Sequence, residues 1–470
     1  MFKKIVYVII FLLFTLLSYK YFESHIFTFH FVDEDENIVA GYYMTKGEKL
    51  YKDIFSHKQP LPAIISMAEQ KIQRPNSLYL LIKRHREMVY FHSIIWSLIL
   101  ICYFGLPGLI FSVAFEIIKQ YQLGNLFLSE SLVVFPVVFI IGIIWKILSK
   151  DNKISVFETL LFSLSLCLIL FLQFTLIPLI FFVIFLLLFL KRLDRKIILS
   201  FSAILLVFLI ISSLFINFPK YLENTVSAIS GIYLGGPTLE SPLKVLFYSF
   251  GRPIAILLNM TKSEFGVFSG MLALSYIASF IYLFIVNKSY RKLLIITYLI
   301  LGLSSLRIVE PDKTFYSGFH GAPWLALFVW TLIYQLNLVI SNVMRNPAKR
   351  NILSYILILL TIVLPFFYGK FMIKDYYRKS DRETDWYVNF SRFYDFGQTI
   401  RILSKPNDKL IVLPAEQLIY WQSGLSHATR FLYVYMFVDP KYKKELYDYW
   451  ERPHRNFYTM SKTGVYLPNG

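Results

Sequence analysis

Long apolar runs separated by short basic stretches set the pattern of the chain. A bilayer core of about 30 Å is crossed by about 20 apolar helical residues. On that measure eleven segments read as spans, near 5–22, 88–106, 107–119, 131–148, 155–171, 174–190, 197–215, 265–286, 293–308, 322–341 and 352–372. The third is short. The more polar stretches predict a long loop over 23–87, a short one over 119–130, a longer one over 216–264, a short one over 309–321 and a tail over 373–470. No internal repeat is evident. The expected fold is an all-α polytopic membrane protein with a transmembrane domain over 1–372 and a small C-terminal α/β segment over 373–470.

Composition agrees with that class. Hydrophobic residues make up 56% of the chain and charged ones 17%, against about 45–50% and about 25% in soluble domains. The net charge is +18. In a soluble protein this would point to nucleic acid. Here the positive charge lies between apolar runs, so it reads as topology signal and contact with anionic lipid, with no nucleic-acid partner. Cys102 and Cys167 both fall in apolar runs and form neither a disulfide framework nor a metal-ligand spacing.

Lys and Arg gather on the cytoplasmic side of membrane proteins. The basic groups are Lys3/Lys4, Lys146/Lys150/Lys153, Lys191/Arg192/Arg195/Lys196, Lys288/Arg291/Lys292 and Arg345/Lys349/Arg350. All five share one side only if the short third span is counted. The expectation is therefore a multi-pass protein of the plasma or inner membrane, with a cytoplasmic N-terminus and an extracytoplasmic C-terminus. The first segment also has the basic start and apolar run of a signal peptide. It lacks a small-residue cleavage site, which favours an uncleaved anchor.

The sharpest chemical signal opens the first outer loop: Phe31-Val32-Asp33-Glu34-Asp35-Glu36-Asn37. Crowded like charges favour one another's protonated form, a setting for a general base. A solvated acidic loop marking the membrane edge gives the same pattern. Gly47 follows fourteen residues after Asp33, and then comes Leu50-Tyr51-Lys52-Asp53-Ile54-Phe55-Ser56-His57-Lys58-Gln59-Pro60-Leu61-Pro62.

This arrangement of an acidic pair, a helical stretch, a Gly turn, Tyr-x-Asp and His-Lys-x-Pro resembles the GT-C glycosyltransferases. The similarity is to the bacterial branch related to protein O-mannosyltransferases and aminoarabinose transferases. The resemblance implies a polyprenyl-phosphate sugar as donor and an unknown acceptor. It gives Asp33 the role of catalytic carboxylate, with Glu34 beside it. Asp35 and Glu36 blur the register by two, so Asp35 stays open as the base. Lys58 matches the basic residue that meets the donor phosphate, with His57 adjacent. A fixed cation suits a phosphate leaving group, where negative charge develops.

In Gly124-Asn125-Leu126-Phe127-Leu128-Ser129-Glu130-Ser131, Glu130 matches a family acid at the start of a helix, although Glu replaces the usual Asp. A carboxylate there can position an acceptor, bind a divalent cation or favour a helix N-terminus. Asp33 and Glu130 are the ligand type for a divalent cation, but without a fixed spacing they define no metal site. Arg252, Arg307, Lys313 and His320 flank later spans on the expected outer face. Arg252, Arg307 and His320 are assigned to the donor phosphate, and a snorkelling interfacial cation is the alternative for each. The segment Phe315–Trp324 is similar to the family's aromatic–His/Tyr–Pro stretch. Tyr51, Tyr316 and Trp324 read as interfacial aromatics.

Asn259-Met260-Thr261 and Asn389-Phe390-Ser391 match the glycosylation sequon, a short and common pattern. In the tail, Gly397–Arg401 reads as helix, Lys405–Lys409 as a turn, Leu410–Leu413 as a strand and Glu416–Trp421 as a second helix closed by Ser423-Gly424. No strong strand is expected after Arg455, and the natural end of the domain is expected beyond residue 470.

The leading functional expectation is a membrane glycosyltransferase acting on a polyprenyl-phosphate-linked sugar at the outer face. A multi-pass transporter, or a lipid-linked glycan flippase or polymerase, is the alternative. Transporters keep ionisable residues near the membrane midplane and often carry inverted repeats. Here Glu116 and Glu158 fall near predicted span ends. The absence of a Gly-rich nucleotide loop argues against a nucleotide-sugar donor.

Overall fold

The computed structural model describes residues 2–149, 154–192, 194–228, 242–258, 264–286, 288–304, 306, 318–343, 356, 358–361, 381–412, 416–432, 440–450, 459–461 and 464–466. The described chain is predominantly helical. Six of its helices are long and apolar enough to cross a bilayer: Phe2–Ser24, Leu78–Phe104, Ser129–Leu148, Arg195–Phe215, Val267–Val286 and Phe319–Val343. The protein is membrane-embedded on that ground. Shorter apolar helices cover Leu106–Ile118, Val156–Leu172, Phe174–Phe189 and Val245–Leu258.

Ten of the eleven expected segments coincide with helical chain, and the eleventh, 352–372, lies almost wholly outside the described residues. The third is a helix of 13 residues, roughly 20 Å long, well short of a bilayer core. It follows Leu78–Phe104 after one residue, because Gly105 takes φ 65 and Pro107 opens the new helix. The described residues of the expected loop over 216–264 are largely helical instead, with helices at Phe218–Ala228 and Pro242–Leu258. Their scattered charges, such as Lys220, Glu223, Lys244 and Arg252, hide the apolar face from a hydropathy reading.

The chain forms two compact units. The first comprises Met1–Ile26, Arg86–Phe208 and Glu240–Arg382. At its centre, Ser129–Ser149 packs against Val156–Leu172 and Ala322–Val343 and is buried along almost its whole length. The helices Phe2–Ser24 and Arg195–Phe215 are mostly exposed and present Leu13, Leu16, Leu17 and Leu206 outward. Apolar surface of that kind is stable against lipid. Both acids noted near span ends have partners. Glu158 completes a capping box with Ser155 and pairs with Lys146. Glu116 lies 2.7 Å from Lys119 Nζ and accepts from Ser93.

The second unit comprises Phe27–His85, Leu209–Leu239 and Glu383–Gly470. Its heart is a helix pair, α2 (Val32–Thr45) and α3 (Leu61–Gln73). Gly41 lets them meet closely: a Cβ there would lie 2.5 Å from Ser66 Oγ. Between them, Leu50 donates to the Phe215 carbonyl and accepts from the Asn217 N–H. The helix Arg382–Leu403 brings Phe390 and Phe393 onto His30, and Phe390 also onto Phe27. The strand Lys409–Leu410 pairs parallel with Ser426–His427, and the helix Leu418–Ser423 between them ends at Gly424, φ 74. After Arg455, Thr459–Ser461 pairs antiparallel with Gly464–Tyr466, three residues on each side. Three-residue strands are too short to leave a period-two pattern in the sequence.

Candidate functional site

The acidic cluster is not a loop. Phe31 has an extended backbone at φ −140 and ψ 123, and α2 starts at Val32, so the acids occupy its first turns. Negative side chains are favoured there by the helix dipole. Helical spacing then sorts them. Residues three apart share a face, so Asp33 and Glu36 stand together. Lys58 Nζ sits between them, 2.8 Å from Asp33 Oδ1 and 2.7 Å from Glu36 Oε2.

Lys58 is also held by its main chain. Its N–H donates to Ser56 Oγ at 3.1 Å, and its carbonyl accepts from Tyr51 OH at 2.8 Å. Tyr51 is fully buried at φ 73, and its carbonyl accepts from Asn224 Nδ2 at 3.2 Å. Burial pushes the Tyr51 phenol well above its ordinary value, so the group is a fixed neutral donor. Ser56 Oγ donates to Glu36 Oε1 at 3.3 Å. Pro60 and Pro62 follow at once and open α3, which limits the freedom of the Lys58 segment. His57 is half-buried beside it.

Glu34 and Asp35 point elsewhere. Glu34 is fully buried, away from the half-exposed position that Asp33 takes. Asp35 is fully buried, with His30 Nε2 2.7 Å from its Oδ2. Burial raises the Asp35 carboxyl to about 6 against the opposing pull of His30. Asp33 thus has the half-exposed setting a base needs, and Asp35 sits in the packed interior of its unit.

The first unit holds a second cluster. Glu130 lies in the first turn of Ser129–Ser149 and is buried. Its Oε1 is 2.7 Å from His320 Nδ1, and its Oε2 accepts from Ser129 Oγ at 2.9 Å. His320 belongs to the short helical turn Gly318–Gly321, just before Ala322–Val343. Arg252, on Pro242–Leu258, lays its guanidinium over the Trp324 ring at 4.8 Å. A Cβ on Gly321 would stand 3.1 Å from that guanidinium and 3.3 Å from Gln122 Nε2, so both side-chain ends lie close against the glycine. Arg307, Lys313 and Tyr316 lie outside the described residues.

The resulting geometry joins Asp33 with Lys58, and Glu130 with His320. Arg252 comes beside Gly321, next in sequence to His320. Glu36 is the residue that sequence reasoning missed. Its signal was the three-residue spacing from Asp33, readable only once the helix is known to start at Val32. Among the described residues no group of three or more His, Cys, Asp or Glu could hold a metal ion. Between Asp33 and Glu36 the cation position is filled by Lys58 itself. Asn389, the second sequon residue, lies in a helix and donates through Nδ2 to the Phe27 carbonyl at 2.9 Å. Asn259 lies outside the described residues.

No protein-family model matches the chain, and no curated protein sequence matches it.

Proposed function

We propose that this protein is a membrane glycosyltransferase of the GT-C kind. It moves a sugar from a polyprenyl-phosphate donor to a lipid, glycan or protein acceptor at the outer membrane face. In this reading the chain crosses the membrane several times, with the N-terminus in the cytoplasm and residues 373–470 outside. The single observation that carries it is the 2.8 Å pair of Asp33 Oδ1 and Lys58 Nζ, in a position where both side chains remain partly exposed. A carboxylate able to take a proton stands beside a cation able to meet phosphate, at the start of a helix that follows an apolar span.

The step balances as follows. Asp33 accepts the proton of the acceptor hydroxyl. The hydroxyl oxygen bonds to the anomeric carbon as the carbon–oxygen bond to phosphate breaks. The bonding pair leaves on the phosphate oxygen, turning a singly charged phosphodiester into a doubly charged polyprenyl phosphate. Lys58 stabilises that added charge where it develops. His57 is next in sequence to Lys58, and Glu34, next in sequence to Asp33, is buried. In the first unit, Glu130 holds the His320 ring.

The test is transfer from a synthetic polyprenyl-phosphate sugar by the purified protein. Asp33→Asn is expected to lower turnover by about a hundredfold or more. Unchanged turnover in that variant removes the base assignment. Proton- or sodium-driven flux without transfer replaces the proposal with a transporter.

A further inference from the structure

Lys58 does not face Asp33 alone, and its two carboxylate partners sit in different surroundings. The Asp33 side chain is 23% exposed and that of Glu36 4%. Ser56 ties Glu36 and Lys58 into one unit, donating to the Glu36 carboxylate and accepting the Lys58 backbone N–H. The buried end of the arrangement is therefore Glu36, and the end open to an incoming molecule is Asp33. The geometry points to Glu36 as a positioning residue that keeps the Lys58 ammonium in place while Asp33 engages the acceptor. The inference rests on the reading of Asp33 as base and Lys58 as phosphate-binding cation.

A lysine paired with the base alone would stabilise its ionised form and weaken it as a proton acceptor. It would also lose its place once a phosphate drew it away, because its four-carbon stem is flexible. A second carboxylate at 2.7 Å answers both problems. It shares the ammonium, so that Asp33 keeps more of its basicity. It also anchors the cation from the buried side as the phosphate gains its second charge. Two carboxylates and one ammonium leave one net negative charge, which opposes the donor phosphate. Glu36 thus favours turnover at the expense of donor affinity. The other ionisable groups nearby are His57, next in sequence to Lys58, Tyr51, which feels Glu36, and Asp35 with its neighbours His30, Glu34 and Glu416.

The experiment uses the full-length protein and a synthetic polyprenyl-phosphate sugar. Glu36→Gln is expected to lower kcat by about tenfold or more, leave donor KM equal or lower, and move the acid limb of the kcat profile to lower pH. Glu36→Asp should recover part of kcat. A merely architectural role would reduce the active fraction with KM and the acid limb unmoved, and that result overturns the proposal. A second measurement needs no turnover: acylation of the Lys58 amine by an amine-reactive reagent, followed by peptide mass spectrometry. Glu36→Gln should accelerate it by about tenfold, and Asp33→Asn by less than about threefold, because the buried partner dominates. Equal acceleration in both variants, or none in Glu36→Gln, rules the clamp out. If the wild type transfers no sugar, the reading of Asp33 fails, and the labelling still decides the role of Glu36.

Discussion

His30 Nε2 lies 2.7 Å from Asp35 Oδ2, and both groups are closed off from solvent. The second oxygen, Asp35 Oδ1, is buried with no hydrogen-bond partner among the described residues. Taking the carboxylate out of water is the largest influence on it, Glu34 and Glu416 add to it, and His30 opposes it. The result is a carboxyl raised to about 6 from the ordinary 3.8.

Stability should therefore fall as pH rises across that interval. A folded-state value above the unfolded one means the folded protein holds the proton more tightly. The contribution is complete below about pH 4 and is lost as pH rises through about 6, and the interval corresponds to about 3 kcal/mol. Asp35→Asn keeps a polar group beside His30 and removes the proton, so it should flatten the profile. Thermal unfolding in detergent from pH 4 to 7 measures this. A wild-type midpoint that climbs over the range, or an Asn variant with the same slope, contradicts the account.

The Gly41–Ser66 approach makes a second prediction. A methyl group at position 41 would meet Ser66 Oγ at 2.5 Å, Ser66 Cβ at 2.6 Å and the Met67 backbone nitrogen at 2.7 Å. The last is backbone, so trimming the Ser66 side chain cannot relieve it. Gly41→Ala should cost about 1–3 kcal/mol, as overpacking does. It should also lower activity, since α2 carries Asp33. Gly251→Ala is the control. It has nothing within 4 Å of the added atom, and its effect should stay within about 1 kcal/mol, on the stabilising side. Equal unfolding midpoints for the two variants would show that the helices have room to separate.

What the sequence makes legible follows from the range of each interaction. Apolar runs are local patterns, so hydropathy places ten of the eleven segments on helical chain, although only six described helices are long and apolar enough to cross a bilayer. The Lys58–Asp33 relationship spans 25 residues and was reached through motif resemblance. Periodicity does not carry it. The place of Glu36 beside Lys58 depends on a helix start at Val32, which has no side-chain cap to announce it in the sequence. Glu130 and His320 are 190 residues apart, and nothing local to either marks the other. Glu34 looked like the natural companion of Asp33. One residue along a helix turns a side chain by about 100°, which is enough to bury it.

The pairing of Glu130 with His320 makes the last prediction. The carboxylate is buried, accepts from Ser129 and faces the imidazole at 2.7 Å. Removing one member of such a pair leaves the other buried without its partner, which costs about 1–3 kcal/mol. Removing both relieves most of that penalty. Glu130→Gln and His320→Asn should each lower the unfolding free energy, and the double variant should cost little more than either single one. A double-mutant cycle on the unfolding midpoint measures the coupling, expected at about 1–3 kcal/mol. Effects that add within about 0.5 kcal/mol would mean that the two side chains act independently. His320 would then orient itself without help from the helix that carries Glu130.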